Sequence, residues 1–176
     1  MAKEITEELR QEWIEKVEGE GPDALAAAPR AVRSDKEVML AAVSSCGGAL
    51  QYASDDLRAD KEFVLAAVSL DGGALEFASE EFCADRDVVL AAVKQWGEAL
   101  YEASEDLRAD RDVVLAAVNQ CGTALGYVSE AFCADKEVVL AAVKQNVRAL
   151  QYASEALQND PEVLAACKIV DDGLPF

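Results

Sequence analysis

The sequence predicts an all-α solenoid of tandem 25-residue helical hairpin repeats with a helical N-terminal cap. The main observation is an apolar hexad, VVLAAV or a near copy, whose last residue recurs every 25 residues at Val43, Val68, Val93, Val118 and Val143. Two further observations agree with it: an Asp precedes each hexad, and a second segment containing Ala-Leu follows it. One short hairpin cannot cover such an apolar helix, so successive hairpins must stack to bury it.

The first helix of each repeat has a clear start and end in the sequence. We number the repeat positions from 1 at the opening aspartates, which are Asp35, Asp60, Asp85, Asp110, Asp135 and Asp160. An Asp at this place accepts hydrogen bonds from the free amides of a helix start. Position 13 is Gly in every full repeat except the last, where it is Val147, and we expect this Gly to adopt the left-handed conformation that ends many helices.

The second half of the repeat predicts a second helix. Ala and Leu occupy positions 15 and 16, position 18 is mostly aromatic, and Leu or Phe closes the segment at position 23. Ser occupies position 20 in all five full repeats. Its hydroxyl can cap a short extra turn or bond back to a carbonyl within the helix, and the sequence leaves both open.

The predicted organisation has three parts. Residues 1–34 form an N-terminal cap helix and a half repeat, residues 35–159 form five full repeats, and residues 160–176 form a truncated C-terminal capping repeat. The cap helix is expected over Thr6 to Val17, because apolar residues recur there at i+4 spacing.

The repeat pattern also resembles a known family. The pattern D-(K/R)-(E/D)-V-V-L-A-A-V-K-Q-x-G-x-A-L-x-Y-A-S-E-x-L-R-x-D runs over residues 35–168 and resembles a short helical repeat family of unknown function from algae, protists and some bacterial effectors. This resemblance implies a stacked helical fold and brings no assigned reaction or catalytic residue. The chain departs from the pattern at Trp96, at Val147 and Arg148, and after Val163, where one residue is missing.

Residue types argue against catalysis. The chain has five Cys and no His, and it lacks a CxxC pair, so we expect no metal site, no cofactor and no activated Cys nucleophile. A Ser repeated in every layer fits a structural role better than a hydrolase. Cysteines in equivalent positions of different repeats would lie too far apart for disulfides. We therefore expect a non-enzyme in the cytoplasm or another reducing soluble compartment.

The net charge of -18 affects which classes of partner the protein can attract. Such a charge disfavours nucleic acid and anionic membranes and favours a protein partner with a basic surface. Most of the acids occupy helix-start positions, so solubility and capping already explain much of the charge, and mimicry of a nucleic acid is a minor alternative. No aliphatic run approaches the roughly 20 residues of a membrane helix, so direct membrane insertion is not expected.

Candidate binding residues come from positions at which the repeats differ. The differences cluster where the first helix ends and the second begins, and stacking would place them on one edge. The candidate partner-binding residues are Leu70, Asp71, Trp96, Glu98, Tyr101 and Arg148. Trp, Tyr and Arg dominate many binding interfaces. Ordinary drift at a tolerant surface is the competing explanation.

A second pattern alternates by repeat pairs. The segments before successive aspartates read DLRA, EFCA, DLRA, AFCA and ALQN, so residues 35–84 resemble 85–134. Duplication of a repeat pair explains this, and a partner with matching spacing could also use it.

These observations predict a non-catalytic protein-protein interaction module, an acidic scaffold or adaptor that binds a partner along its variable edge. The alternative is an architectural subunit of a larger stable assembly, in an organelle for example.

Overall fold

The computed structural model describes residues 5–172, with side chains from residue 5 to residue 168. All regular elements in this range are helices, and no strand occurs within it. Within each of the two compact units named below, corresponding helices of consecutive repeats pack against one another in chain order. The prediction of an all-α solenoid is therefore confirmed. The chain divides into two compact units, Met1–Gln95 and Trp96–Phe176, which we call the N-terminal and C-terminal units.

A full repeat folds into three consecutive helical elements. These are an α-helix of 10 residues, a 3₁₀ helix of 6 residues and a single α-helical turn of 4 residues. We call the three elements together a layer. The predicted second helix is therefore a 3₁₀ helix followed by a separate α-helical turn.

The N-terminal unit begins with a layer that resembles the repeats. Thr6 caps its first helix by accepting a hydrogen bond from the Leu9 amide, and this helix continues past the predicted end at Val17 to Glu20. The elements of this unit are α1 (Glu7–Glu20), η1 (Pro22–Ala27), α2 (Arg30–Arg33), α3 (Lys36–Ser45), η2 (Gly47–Tyr52), α4 (Asp55–Arg58), α5 (Lys61–Leu70), η3 (Gly72–Phe77), α6 (Glu80–Cys83) and α7 (Arg86–Gln95), where η denotes a 3₁₀ helix. Helix α1 packs on α3, and η1 packs on η2.

The C-terminal unit repeats the same order. Its elements are η4 (Gly97–Glu102), α8 (Glu105–Arg108), α9 (Arg111–Gln120), η5 (Gly122–Tyr127), α10 (Glu130–Cys133), α11 (Lys136–Gln145), η6 (Val147–Tyr152), α12 (Glu155–Gln158) and α13 (Pro161–Asp172). Within this unit α9 packs on α11 and α11 on α13, while η4 packs on η5 and η5 on η6.

The core of each unit consists of the same repeat positions in successive layers. In α9 the buried residues are Val113, Val114, Ala117 and Val118, at positions 4, 5, 8 and 9. Leu125, at position 16 of the same repeat, belongs to η5 and is fully buried. Four of the six hexad residues of α9 are therefore buried, while the other two, Leu115 and Ala116, are half-buried.

The predicted aspartate caps are confirmed. The Asp35, Asp110 and Asp135 carboxylates each accept hydrogen bonds from the amides two and three residues later. Asp85 and Asp160 do the same. These bonds satisfy amides that an α-helix leaves without partners at its start.

The predicted left-handed glycine at position 13 is wrong. Among residues 5–172 a positive φ occurs only at Gly21, where it is 87°. The long helices end instead on an extended residue, such as Cys46 with φ −165°. Position 13 is Gly because the next layer approaches closely: a Cβ on Gly97 would lie 2.5 Å from the Ala117 carbonyl oxygen, and one on Gly122 would lie 2.3 Å from that of Ala142.

The serines at position 20 join consecutive layers through their backbone. The Ser54 amide donates to the Arg33 carbonyl at 2.8 Å, and the Ser129 amide donates to that of Arg108 at 3.0 Å. Their side chains differ. The Ser54 hydroxyl caps the α-helical turn at the Leu57 amide, as one of the two alternatives expects. The Ser79 hydroxyl instead donates to the Arg58 carbonyl of the preceding layer.

A ladder of ion pairs links a cation at the start of one layer to the Asp at position 1 of the next. The cation is at position 2 in the full repeats, and in the first layer Arg10, 25 residues before Asp35, takes its part. The pairs are Arg10–Asp35, Lys36–Asp60, Lys61–Asp85, Arg111–Asp135 and Lys136–Asp160, with N–O distances of 2.6 to 3.0 Å. Hydrogen bonds from these cations hold the pKa values of four aspartates below their ordinary value, namely Asp60, Asp85, Asp135 and Asp160. Each pair is partly exposed, so its contribution to stability is small.

The ladder predicts a pH-dependent effect of Lys61→Gln. A carboxylate whose pKa is lowered by folding stabilises the protein above its unfolded pKa of about 4, and this stabilisation is lost as the pH falls through the folded value. Because Asp85 behaves in this way, Lys61→Gln should lower Tm slightly at pH 7.

The deficit relative to wild type should shrink as the pH falls from 7 towards about 3, because protonation of Asp85 removes the charge with which Lys61 pairs. Thermal melts at both pH values check this. Lys94→Gln is the matched control, since this exposed lysine has no ion-pair partner in residues 5–168. A Tm deficit of Lys61→Gln that is as large at pH 3 as at pH 7 would refute the ladder's contribution.

Candidate binding surface

The exposed side of the 3₁₀ helices forms a continuous surface in the C-terminal unit. Residues three apart lie on the same face of a 3₁₀ helix, so Glu98 and Tyr101 share a face of η4. Arg148 occupies the same repeat position in η6 as Glu98 does in η4. We call the face formed by η4, η5 and η6 the tyrosine surface, defined by Glu98, Tyr101, Tyr127, Arg148 and Tyr152.

Its aromatic rings are supported by neighbouring layers. Tyr101 and Tyr127 pack edge to face, with ring centroids 5.4 Å apart and planes at 68°. Tyr101 is nevertheless 62% exposed and Tyr152 is 40% exposed. Gly126 leaves room for the Tyr152 ring, because a Cβ on it would lie 3.0 Å from that ring. The rings are therefore held in place while much of their area faces solvent.

Glu98 belongs to a polar network that joins η4 to η5. Its carboxylate accepts a hydrogen bond from the Thr123 hydroxyl at 2.8 Å and a longer one from the Cys121 thiol at 3.8 Å. Burial raises the pKa of the Tyr127 phenol, and the nearby negative charge of Glu98 raises it further. Glu98 thus has a structural partner as well as a place on the surface.

Trp96 and Arg148 are exposed. Trp96, 42% exposed, immediately precedes η4, whose first residue Gly97 donates its amide to the Gln120 side chain at 2.6 Å. The Arg148 amide is capped by Asn146, and none of the carboxylates in the described part of the chain forms an ion pair with the Arg148 guanidinium. Both side chains are available to a partner.

Leu70 and Asp71 lie in the N-terminal unit and have different roles. Leu70 ends α5 and is 49% exposed. Asp71 accepts hydrogen bonds from the Gly47 amide at 2.6 Å and the Gly73 amide at 2.8 Å. Its carboxylate therefore joins two layers and caps η3, which leaves Leu70 as the accessible member of the pair.

The interlayer bond to the position-13 amide escaped the sequence reasoning. Gln120 and Gln145, both at position 11, each accept a hydrogen bond from the Gly amide of the preceding layer. In the repeat of residues 60–84, position 11 is Leu70, and Asp71 at position 12 supplies the acceptor instead. In the sequence, the only signal for this interlayer hydrogen bond is that Gln at position 11 occurs in repeats that follow a Gly at position 13.

The thiols and carboxylates do not assemble into a recognisable reactive centre in the described residues. Cys46, Cys121 and Cys133 form no disulfide; Cys46 is exposed, and the other four cysteines of the chain are half-buried. Burial raises the pKa of the Cys133 thiol, which lowers its nucleophilicity at neutral pH. Residues 5–168 contain no group of three or more His, Cys, Asp or Glu placed to hold a metal ion.

The helices of the described region include none that is long and apolar enough to cross a membrane.

These layers define a tandem helical-repeat protein with an exposed aromatic and charged face. The model of the family described as Domain of unknown function (DUF4116) matches residues 35–83, 60–108, 85–133, 110–158 and 135–167. The chain belongs to this family. Successive matches are offset by one repeat, in agreement with the layers. Comparison with curated proteins gave no match, and comparison with solved structures gave none.

Proposed function

We propose that the protein is a non-catalytic interaction module that binds a protein partner through the tyrosine surface and the neighbouring Trp96. The observation that carries this proposal is the exposure of rigidly supported aromatic rings at Tyr101 and Tyr152. Aromatic side chains already ordered before binding contribute contact area at low entropic cost, and they are common among binding hot spots.

The charges around the rings favour a basic partner. Glu105, Glu130 and Glu155 are exposed at the starts of α8, α10 and α12, the turns that follow η4, η5 and η6. Tyr faces attract Lys and Arg through cation–π interactions, and the carboxylates attract the same groups. A partner segment with an apolar centre and Arg or Lys at its sides would complement both features.

The free thiols support a proposal on location. Because Cys46, Cys121 and Cys133 form no disulfide, we propose a reducing compartment, such as the cytoplasm.

Capture from the native source tests the proposed binding. Tagged wild-type protein should retain a specific partner, whereas Trp96→Ala/Tyr101→Ala should retain at least about tenfold less, as expected when hot-spot side chains are lost. Quantitative mass spectrometry measures the retained partner. Both substituted side chains are exposed, so circular dichroism spectra and Tm should remain close to wild type.

Leu164→Ala is the control, because Leu164 is an exposed apolar residue (38%) of α13 outside the tyrosine surface. Equal capture by wild type and the double variant, or no specific partner with wild type, would overturn the proposal. A wild-type protein that is poorly soluble alone and isolated only in a fixed stoichiometric complex would favour the architectural alternative.

A further inference from the structure

A cleft in the N-terminal unit collects arginines between consecutive layers. It has a volume of about 300 Å³ and lies between the layer of α2 and that of η2 and α4. Its lining residues are Arg30, Arg33, Gln51, Ala53, Ser54, Asp55 and Arg58. Arg33 and Arg58 occupy position 24 of their layers, where the next three layers have Cys83, Arg108 and Cys133.

Within residues 5–168, Arg33 has no protein acceptor for its charge. Its backbone carbonyl accepts the Ser54 amide at 2.8 Å, which fixes the start of its side chain. Its Nε is buried and has no hydrogen-bond partner in the described residues. No ion pair joins it to any carboxylate of residues 5–168 either.

The other two arginines each pair with an exposed carboxylate. The Nε of Arg58 is likewise buried without a partner, and its terminal nitrogen bonds the exposed Asp55. Arg30 reaches the exposed Asp56 at 3.4 Å. The cleft therefore presents three guanidinium groups in a chain with 34 acids and 16 basic residues.

We propose that this cleft binds a single phosphomonoester group, presented by a phosphorylated side chain of a peptide. Guanidinium groups present a planar fork of donors that matches phosphate oxygens, and arginine clusters recognise phosphorylated motifs in this way. The volume lies at the small end of ligand pockets and suits one phosphorylated side chain. Asp55, an exposed member of the cleft lining, and the neighbouring Asp56, together with the net charge of -18, disfavour an extended polyanion such as a nucleic acid.

The chain offers an internal comparison in its C-terminal unit. A related cleft of about 260 Å³ is lined by Glu105, Arg108, Tyr127, Val128 and Ser129. It contains one arginine beside a glutamate, so a dianion should bind there more weakly. At position 24 of the last full repeat the residue is Gln158, which shows that Gln fits this place in a layer.

Titrations of the full chain test the proposal. The probes are inorganic phosphate, a short phosphoserine peptide and the same peptide with unmodified serine, each followed by NMR of backbone amides and arginine Nε–H groups. We expect saturable shifts at Ser54, Arg33 and Arg58, with the phosphoserine peptide binding more tightly than phosphate. Arg33→Gln should weaken binding at least about tenfold, as expected for loss of a charge-assisted bidentate contact.

The controls separate this site from general charge effects. Lys94→Gln removes one positive charge from the same unit, and Arg108→Gln alters the weaker cleft; both should change affinity less than about twofold, since neither touches the ligand. Arg58→Gln provides a second test should Arg33→Gln fail to fold.

Equal affinity of Arg33→Gln and Lys94→Gln, or no saturable phosphate binding, would overturn the proposal. Equal binding of both peptides, or binding of phosphate alone, would overturn the assignment to a phosphorylated side chain. None of these outcomes bears on the proposed partner binding at the tyrosine surface, which is tested separately.

Discussion

Gly47→Ala is expected to destabilise the protein by about 2 to 3 kcal/mol, the usual scale for forcing extra volume into a packed interior. An added Cβ would lie 2.7 Å from the Ala74 backbone nitrogen and 2.7 Å from the Asp71 side chain, which bonds the Gly47 amide. Gly47 has no positive φ, so the backbone conformation itself accepts Ala. The loss would therefore report the close approach of the next layer.

Gly48→Ala is the matched control. A Cβ there would meet its nearest atoms at ordinary distances, 3.5 Å from the Cys46 sulfur and 3.7 Å from the Phe77 ring. We expect no loss, or a gain of up to about 0.5 kcal/mol from reduced freedom of the unfolded chain. Urea denaturation followed by circular dichroism measures both variants. Equal free energies of unfolding for the two variants would contradict the close layer contact.

Leu75→Ala is expected to lower the free energy of unfolding by about 3 kcal/mol, the usual cost of truncating a buried Leu. Leu75 is fully buried at position 16 in η3. Truncation removes apolar contacts and leaves a cavity that the stacked layers cannot easily close.

Leu70→Ala makes the same chemical change in the same repeat at an exposed site. Because Leu70 is 49% exposed, its replacement should cost less than about 1 kcal/mol. The same denaturation experiment compares the two leucines. A cost for Leu70→Ala that matches that of Leu75→Ala would show that Leu70 is buried in the protein, which would remove it from the candidate binding residues.

The layer structure could be predicted because its signals are local and repeated. An Asp followed by two more residues and an apolar hexad specifies both the start and the buried face of a helix. The period of 25 residues then requires that equivalent faces stack. Five aligned copies also reduce the effect of single exceptions, such as Val147 in place of Gly.

The second half of the repeat was less predictable. Six residues such as GGALQY fit an α-helix and a 3₁₀ helix equally well, because the two differ only in whether amides bond four or three residues back. Glycine was also ambiguous, since it serves both left-handed turns and close backbone contacts. The second role becomes visible only in the structure, where a Cβ placed on Gly122 would collide with the Ala142 carbonyl oxygen of the next layer.

Variation between the repeats identifies exposed residues, but it does not separate them from residues that bond to a neighbouring layer. Variation between repeats indicated Trp96 and Tyr101, which are exposed. The same criterion also selected Asp71 and Glu98, whose variation reflects alternative ways of bonding the neighbouring layer. Tyr152 occupies position 18, whose mostly aromatic residues predict the second helix without indicating which of them are exposed. Its 40% exposure is seen only in the structure.

The central claim is that equivalent residues of successive repeats contact one another in register. The most direct test is a NOESY spectrum of the protein with assigned side chains. We predict cross-peaks between Val114 and Val139, which both occupy position 5 and share one core cluster. We also predict a strong cross-peak between the rings of Tyr101 and Tyr127, at the adjacent positions 17 and 18 of consecutive repeats, whose centroids lie 5.4 Å apart. Absence of these cross-peaks, with contacts instead between residues unrelated by the 25-residue period, would contradict the layered fold.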